Sequence, residues 1–356
     1  MHVGFGTFFQ GADDRSDRET WAAELALADR AEALGFDSVW AVEHHFDAYS
    51  MSPHPLQFLT WVAARTERVR LGSMVCVLPW HNPVRLAEEI SVLDHVCDGR
   101  LLLGIGRGLA RLEFEGMGVD MARSRELFAG YAEALLEAFD SGTLSIDGKP
   151  AVAIRPRPFA PLRGRTYASS ISPESTATMA RLGVGMMIFL QKPWAQTVAD
   201  VEAYAARFRE INASDPPKPL LVLVVACDRD AGRAQARFEH VERYYASTID
   251  HYEFDDAELA RVPGYEYYGR IADTIAKHGR GGFARFLAEL QPTGTPAQVT
   301  EQIRECVRRL DAGGVIIVPS FGGMSAADAR ENQALIAAEV LPALRAVDRG
   351  PLVQVA

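Results

Sequence analysis

Short apolar runs and amphipathic segments take turns along almost the whole chain. The run Asp37-Ser38-Val39-Trp40-Ala41-Val42 is mostly apolar without strict alternation, as in a strand covered on both faces. Residues 1–9 read the same way. Between the two, Trp21, Leu25, Ala28 and Leu34 recur at helical spacing over 20–34, with Gly35 as the stop. This is one β-α-β unit. The rhythm continues with a helix over 55–65, a strand over 69–78, a helix over 83–96, a strand over 100–105 and a helix over 124–139. A strand at 166–170, a helix at 173–182, a strand at 184–190 and a helix at 194–211 follow. A strand at 220–227, helices at 229–249 and 296–310, a strand at 314–319 and a closing helix through Leu344 complete it.

Strands such as Leu220-Leu221-Val222-Leu223-Val224-Val225, apolar throughout, imply parallel pairing with right-handed crossovers. About eight strands, each followed by a helix, predict an α/β fold of the (β/α)8 TIM-barrel type. The chain has 356 residues and is 48% hydrophobic, enough for one large core, and a single barrel domain over 1–356 is expected. Two stretches break the rhythm. Residues 142–165 are proline-rich; residues 251–294 carry Tyr265-Glu266-Tyr267-Tyr268 and the glycines Gly279, Gly281 and Gly282. Both read as insertions, the second as an active-site lid or a plain surface excursion.

Charge and cysteine content narrow the function class. A formal net charge of −10, with basic residues scattered along the chain, argues against nucleic acid. Cys76, Cys97, Cys227 and Cys306 show no C-x-x-C spacing, so neither a zinc site nor a disulfide framework is expected. The first residues lack a signal peptide's basic start, and no run of about 18 apolar residues offers a membrane span. A cytoplasmic location is expected.

The candidate chemistry lies at the strand exits, where α/β barrels place their active sites. Glu43-His44-His45-Phe46 directly follows the second strand, and His44 is the candidate general base, because imidazole titrates near neutral pH. Adjacent histidines point in different directions, so no metal is expected; a cap or surface polar role is the bland alternative. Gly104-Ile105-Gly106-Arg107-Gly108-Leu109 departs from the dinucleotide fingerprint at Leu109, but its glycines admit a flat ligand and Arg107 offers a planar fork for phosphate. Ser172-Pro173-Glu174-Ser175-Thr176 has the form of a helix start, which is explained by capping or by an anion site across from Arg107. The remaining histidines, His251 included, read as structural.

These segments together resemble a known family. Residues 36–46, Val77-Leu78-Pro79, Asn82-Pro83-Val84-Arg85, Leu93-Asp94, Gly99-Arg100, the 104–109 loop, Phe114, Gly118 and Asp120-Met121 resemble the catalytic α subunit of bacterial luciferase and the luciferase-like flavin-dependent monooxygenases. The likeness runs from Met1 to about Gly185, returns at Gly294-Thr295-Pro296, and is poor over 251–294. It implies a TIM barrel with an insertion, reduced FMN supplied by a separate NAD(P)H:flavin reductase, O2 as co-substrate and a flavin C4a-hydroperoxide. Carried over by position, it implies His44 as the catalytic histidine and Arg107, Ser172 and Ser175 as phosphate-binding residues. Met74-Val75 is implied as a non-proline cis peptide under the flavin ring. Two departures stand out: a reactive cysteine of the luciferase α subunit is Gly106 here, implying a roomier flavin pocket, and a carboxylate before the phosphate-site serine is Ile171. The double histidine and the arginine-glycine pair, absent from the inactive luciferase β subunit, imply a catalytic chain and a homodimer. The implied substrate is a small apolar or aromatic molecule. An F420-dependent oxidoreductase of the same superfamily and a non-catalytic flavoprotein or stabilising subunit are the alternatives.

Overall fold

The computed structural model describes residues 1–146, 148–169, 173–350 and 352. Eight parallel strands close on themselves: β1 (His2–Thr7), β2 (Ser38–Ala41), β3 (Arg70–Ser73), β4 (Leu101–Gly106), β5 (Thr166–Ser169), β6 (Gly185–Phe189), β7 (Leu220–Val224) and β8 (Gly314–Val318). Phe5 of β1 sits opposite Val39 on one side and Ile317 on the other, and the Leu71–Leu101 pairing of β3 with β4 shuts the ring. The TIM barrel expected from the alternation is the fold found.

The uniformly apolar strands serve two packing layers. Val3, Phe5, Val39, Leu71, Leu101, Leu103, Leu221, Leu223, Val315 and Ile317 are buried beneath the helices. Trp40, Leu102, Tyr167, Met187, Leu220, Val222, Ile316 and Val318 form a second buried cluster. The inside is crowded: a Cβ added at Gly72 would lie 2.1 Å from the Trp40 ring, and one at Gly104 would lie 1.9 Å from the Ser73 carbonyl oxygen. Glycine is required there by close approach of neighbouring strands.

Helices α1 (Asp17–Ala31), α2 (Pro55–Ala63) and α3 (Pro83–Val96) follow the first three strands. α1 starts a turn earlier than its apolar spacing predicts, because Ser16 and Glu19 form a capping box ahead of the first apolar residue. The third strand is not continuous over 69–78: after Ser73 comes the cis peptide Met74-Val75, and pairing with β4 resumes at Cys76–Val77. A short helix, α4 (Arg111–Met117), lies unread between β4 and α5 (Ser124–Ser141). Beyond β5 the chain forms α6 (Pro173–Leu182), α7 (Trp194–Asn212) and α8 (Ala231–His251), the last running two residues past the predicted end.

The 251–294 stretch holds regular structure, α9 (Tyr268–His278) and α10 (Arg280–Glu289). In α9 Tyr268, Ile271, Ala272 and Ile275 repeat at helical spacing and are buried. Helices α11 (Pro296–Arg309), α12 (Ala326–Leu335) and α13 (Leu341–Arg345) complete the outer ring. No helix among the described residues is long and apolar enough to cross a membrane.

Candidate active site

A cavity open to solvent lies at the strand exits and is lined by residues from many βα junctions. His44, from the exit of β2, Met74 and Val75, from the break after β3, Arg107, from the end of β4, and Ser175, on α6, all line it. Gly106 is not in the lining, and Ser172 lies outside the described residues. Beside Gly106 there is no room for a side chain: a Cβ there would lie 2.3 Å from Val75 Cγ2. A methyl of the cis-peptide residue already occupies the space.

Each of the paired histidines has its own carboxylate. His44 Nδ1 is 3.0 Å from Glu113 Oε1, which also accepts the His45 backbone N–H at 2.8 Å. His45 Nε2 faces Glu43 Oε1 at 3.3 Å, and Glu43 also takes His81 Nε2 at 2.7 Å and the Val77 N–H at 2.8 Å. Burial alone would raise the Glu43 carboxyl, but the His45 and His81 hydrogen bonds outweigh it and leave it below the usual range. Glu43 therefore ties the strand resuming at Cys76 to the exit of β2, and of the two histidines His44 is the one that lines the cavity.

Glu113 was not legible as a site residue. It is fully buried on α4, and its carboxyl is held down to about 2: burial opposes this, but His44 and His251 prevail. On the other ring nitrogen, Nε2, His44 meets the Tyr252 hydroxyl at 3.4 Å. Burial pushes the Tyr252 hydroxyl well up, so it stays protonated and can donate. With Nδ1–H donating to an ionised carboxylate, the His44 tautomer that fits these partners leaves Nε2 as acceptor.

Arg107 Nη1 donates to the Gly264 carbonyl at 2.8 Å, and its guanidinium lies 4.1 Å from the centroid of the Tyr265 ring. Arg125 Nη2 reaches the same carbonyl at 3.2 Å and lines the cavity, as do Ser175 and Thr178. Two guanidinium groups and two hydroxyls in the lining, together with Met74, Val75, Phe189 and several tyrosines, suit a ligand with an anionic tail and a flat apolar body. Phe189 joins the lining, whereas Trp194 lies against Arg309 on the outer ring. His44, Glu113 and His251 bring ligand atoms within 4.8 Å of one another, the one such group among the described residues. Their hydrogen bonds and ion pairs account for that closeness without an ion.

The sequence pattern of the luciferase-like monooxygenases matches residues 1–312. The chain belongs to the luciferase-like monooxygenase family. It is an enzyme of that family. Among luciferase-like relatives, the alkanal monooxygenase alpha chain of Aliivibrio fischeri is 27% identical over 301 residues, covering 80% of this chain and 82% of its own. The monooxygenase RslO1 from Streptomyces bottropensis shares the fold at a TM-score of 0.78 and 24% identity, covering 96% of this chain and 99% of that one. The oxygenating constituent of 3,6-diketocamphane monooxygenase from Pseudomonas putida, solved with FMN, gives 0.72 and 17%, covering 96% and 98%. An F420-dependent secondary alcohol dehydrogenase, solved with an F420-acetone adduct, gives 0.72 and 14%, covering 97% and 99%. In this luciferase-like chain, sequence reasoning missed Glu113, Arg125, His251 and Tyr252. Only Glu113 carried a signal, a carboxylate in the first turn after the glycine loop.

Proposed function

We propose that the chain is an FMN-dependent monooxygenase, fed reduced flavin by a separate reductase, that inserts oxygen from O2 into a small apolar or aromatic molecule. The observation that carries this reading is that His44, Met74, Val75, Arg107 and Ser175 line one cavity. The residues present fit FMN: Arg107, Arg125 and Ser175 would hold the phosphate, and Met74 and Val75 would lie against the ring. When bound, reduced FMN supplies the electrons that activate oxygen.

The protein's own part is to position, to exclude water and to handle a proton. His44 Nε2 takes a proton from the reacting partner, while Glu113 Oε1 stabilises the charge that appears on the ring through Nδ1–H. Tyr252 and Tyr268, which line the cavity and belong to the 251–294 stretch, help close it against water, the lid role assigned to that stretch. The lining by Phe8, Tyr49, Trp80, Phe128, Phe189 and Tyr244 favours an apolar or aromatic substrate. Val92 and Val96, both exposed and one turn apart on α3, support a homodimer.

The test is to compare the wild type with His44→Ala, using reduced FMN, O2 and two probes, decanal and a tricyclic anthrone. The variant should bind FMN as the parent does and form no oxygenated product. Equal turnover in the two would remove His44 from the chemistry. Tight binding of reduced F420 without oxygen consumption would replace the FMN reading with the hydride-transfer one, and flavin retention with no product from the wild type would favour a non-catalytic subunit.

A further inference from the structure

We propose that His251, assisted by Asp47, is a positioning residue for the reaction, holding Glu113 as the ionised, oriented acceptor of His44 Nδ1–H. The proposal rests on the monooxygenase reading for its purpose, but its geometry is independent of it. Four side chains from three separate segments form an alternating row of base and acid. His44 Nδ1 stands 3.0 Å from Glu113 Oε1, His251 Nε2 stands 3.6 Å from the same oxygen, and His251 Nδ1 is 2.7 Å from Asp47 Oδ2.

His251 is the last residue of α8, far in sequence from the βα junctions, and its side chain is 1% exposed. The Tyr49 ring stacks on it at 4.2 Å and 12°, and the Tyr49 backbone N–H binds Asp47 Oδ1 at 2.9 Å, so ring and carboxylate are placed by the same loop. The groups facing His251 are Asp47, Tyr49 and His44 from the loop after β2, Glu113 from α4 and Tyr252 from its own chain end. Burial disfavours a charged ring, but Asp47 and Glu113 outweigh that and raise its proton affinity. A cation between two carboxylates is the arrangement that lets Glu113 stay ionised with no solvent around it.

Glu113 Oε2 and His251 Nε2 are buried and have no hydrogen-bond partner among the described residues. The 3.6 Å separation is that of an ion pair, so what His251 gives Glu113 is charge. Without it, Glu113 would gain protons at higher pH, and a protonated carboxyl no longer accepts reliably from His44. His44 would then lose the partner that fixes which nitrogen is left as base.

The experiment is 15N-histidine NMR, read from pH 7 down to about 2, across the range in which Glu113 takes up its proton, without substrate, with the His44 signals assigned by a His44→Gln control. In the wild type His44 should show one tautomer, with a downfield Nδ1 proton typical of a hydrogen bond to carboxylate. In His251→Gln that signal should vanish below a pH about one unit higher than in the parent, the shift expected from losing one nearby opposite charge. His251→Lys, which restores a cation, should bring it back, and Asp47→Asn should move it in the Gln direction without touching the ring. An unmoved signal in His251→Gln overturns the proposal, as does equal loss in Gln and Lys, which would make the role steric. Reduced-FMN binding is measured on the same samples. Its failure in the wild type would sink the monooxygenase reading and leave the NMR outcome standing.

Discussion

Arg107 is tied to Gly264: its guanidinium donates to that carbonyl at 2.8 Å and lies against the neighbouring Tyr265 ring. The residue assigned to the cofactor's phosphate thus also anchors the segment that leads into α9. Arg125 donates to the same oxygen at 3.2 Å, so loss of Arg107 alone leaves the segment attached.

Arg107→Ala should therefore fold normally and lose affinity for FMN by about 10- to 100-fold, the worth of one charge-assisted hydrogen bond. Riboflavin, which has no phosphate, should bind parent and variant alike. Fluorescence titration with both flavins gives the comparison. Equal weakening for the two would mean that Arg107 contacts the ring or shapes the pocket and does not read the phosphate.

Gly106 and Val75 are a matched pair, since a Cβ at one position overlaps Cγ2 at the other at 2.3 Å. Gly106→Cys should cost about 1–3 kcal/mol of stability through overpacking. Combining it with Val75→Ala, which removes the overlapping methyl, should recover most of the loss. Urea midpoints of the four proteins form the cycle, and a Gly106→Cys chain as stable as its parent would contradict the packing described.

The barrel was legible because its strands are apolar on both faces and its helices on one, so the change of period marks each element. His44 and Arg107 were legible because strand exits are where such folds keep function, and Met74-Val75 only through family likeness. His251 was not: it is separated from His44 by more than half the chain, and nothing local in Ile249-Asp250-His251-Tyr252 marks it as a site residue. α9 was overlooked although Tyr268, Ile271, Ala272 and Ile275 carry its period, since the nearby glycines drew the reading toward a loop. Val75 filling the space beside Gly106 depends on how strands meet, which no spacing encodes.

The opposite end of the barrel offers a contrast in which stability and function separate. Arg165 meets Asp94 twice, at 2.8 and 3.1 Å, and also binds the carbonyls of Gly99 and Leu101 at the start of β4. Their side chains are 6% and 0% exposed. Asp94→Ala leaves a buried guanidinium without its counter-charge and should cost about 3–5 kcal/mol. Flavin affinity of the folded fraction should not change. A loss of affinity in step with stability would show that the two ends are coupled.

Glu113 also makes a prediction about acid. Its folded-state carboxyl is held at about 2 against an ordinary value of 4.5, so its contribution to stability is complete above 4.5 and is lost as pH falls toward 2. Glu113→Gln removes that contribution and keeps the shape. At pH 7 the variant should be less stable by on the order of 3 kcal/mol, the free energy of a shift of this size. Between pH 4.5 and 3 the gap should narrow, because the parent is losing what the variant never had. Urea unfolding at pH 7, 4.5 and 3 measures it, and taking the difference between the two proteins removes the titration of the groups that are not coupled to Glu113. A gap that stays constant with pH would mean that Glu113 is not the ionised partner of His44 in the folded enzyme.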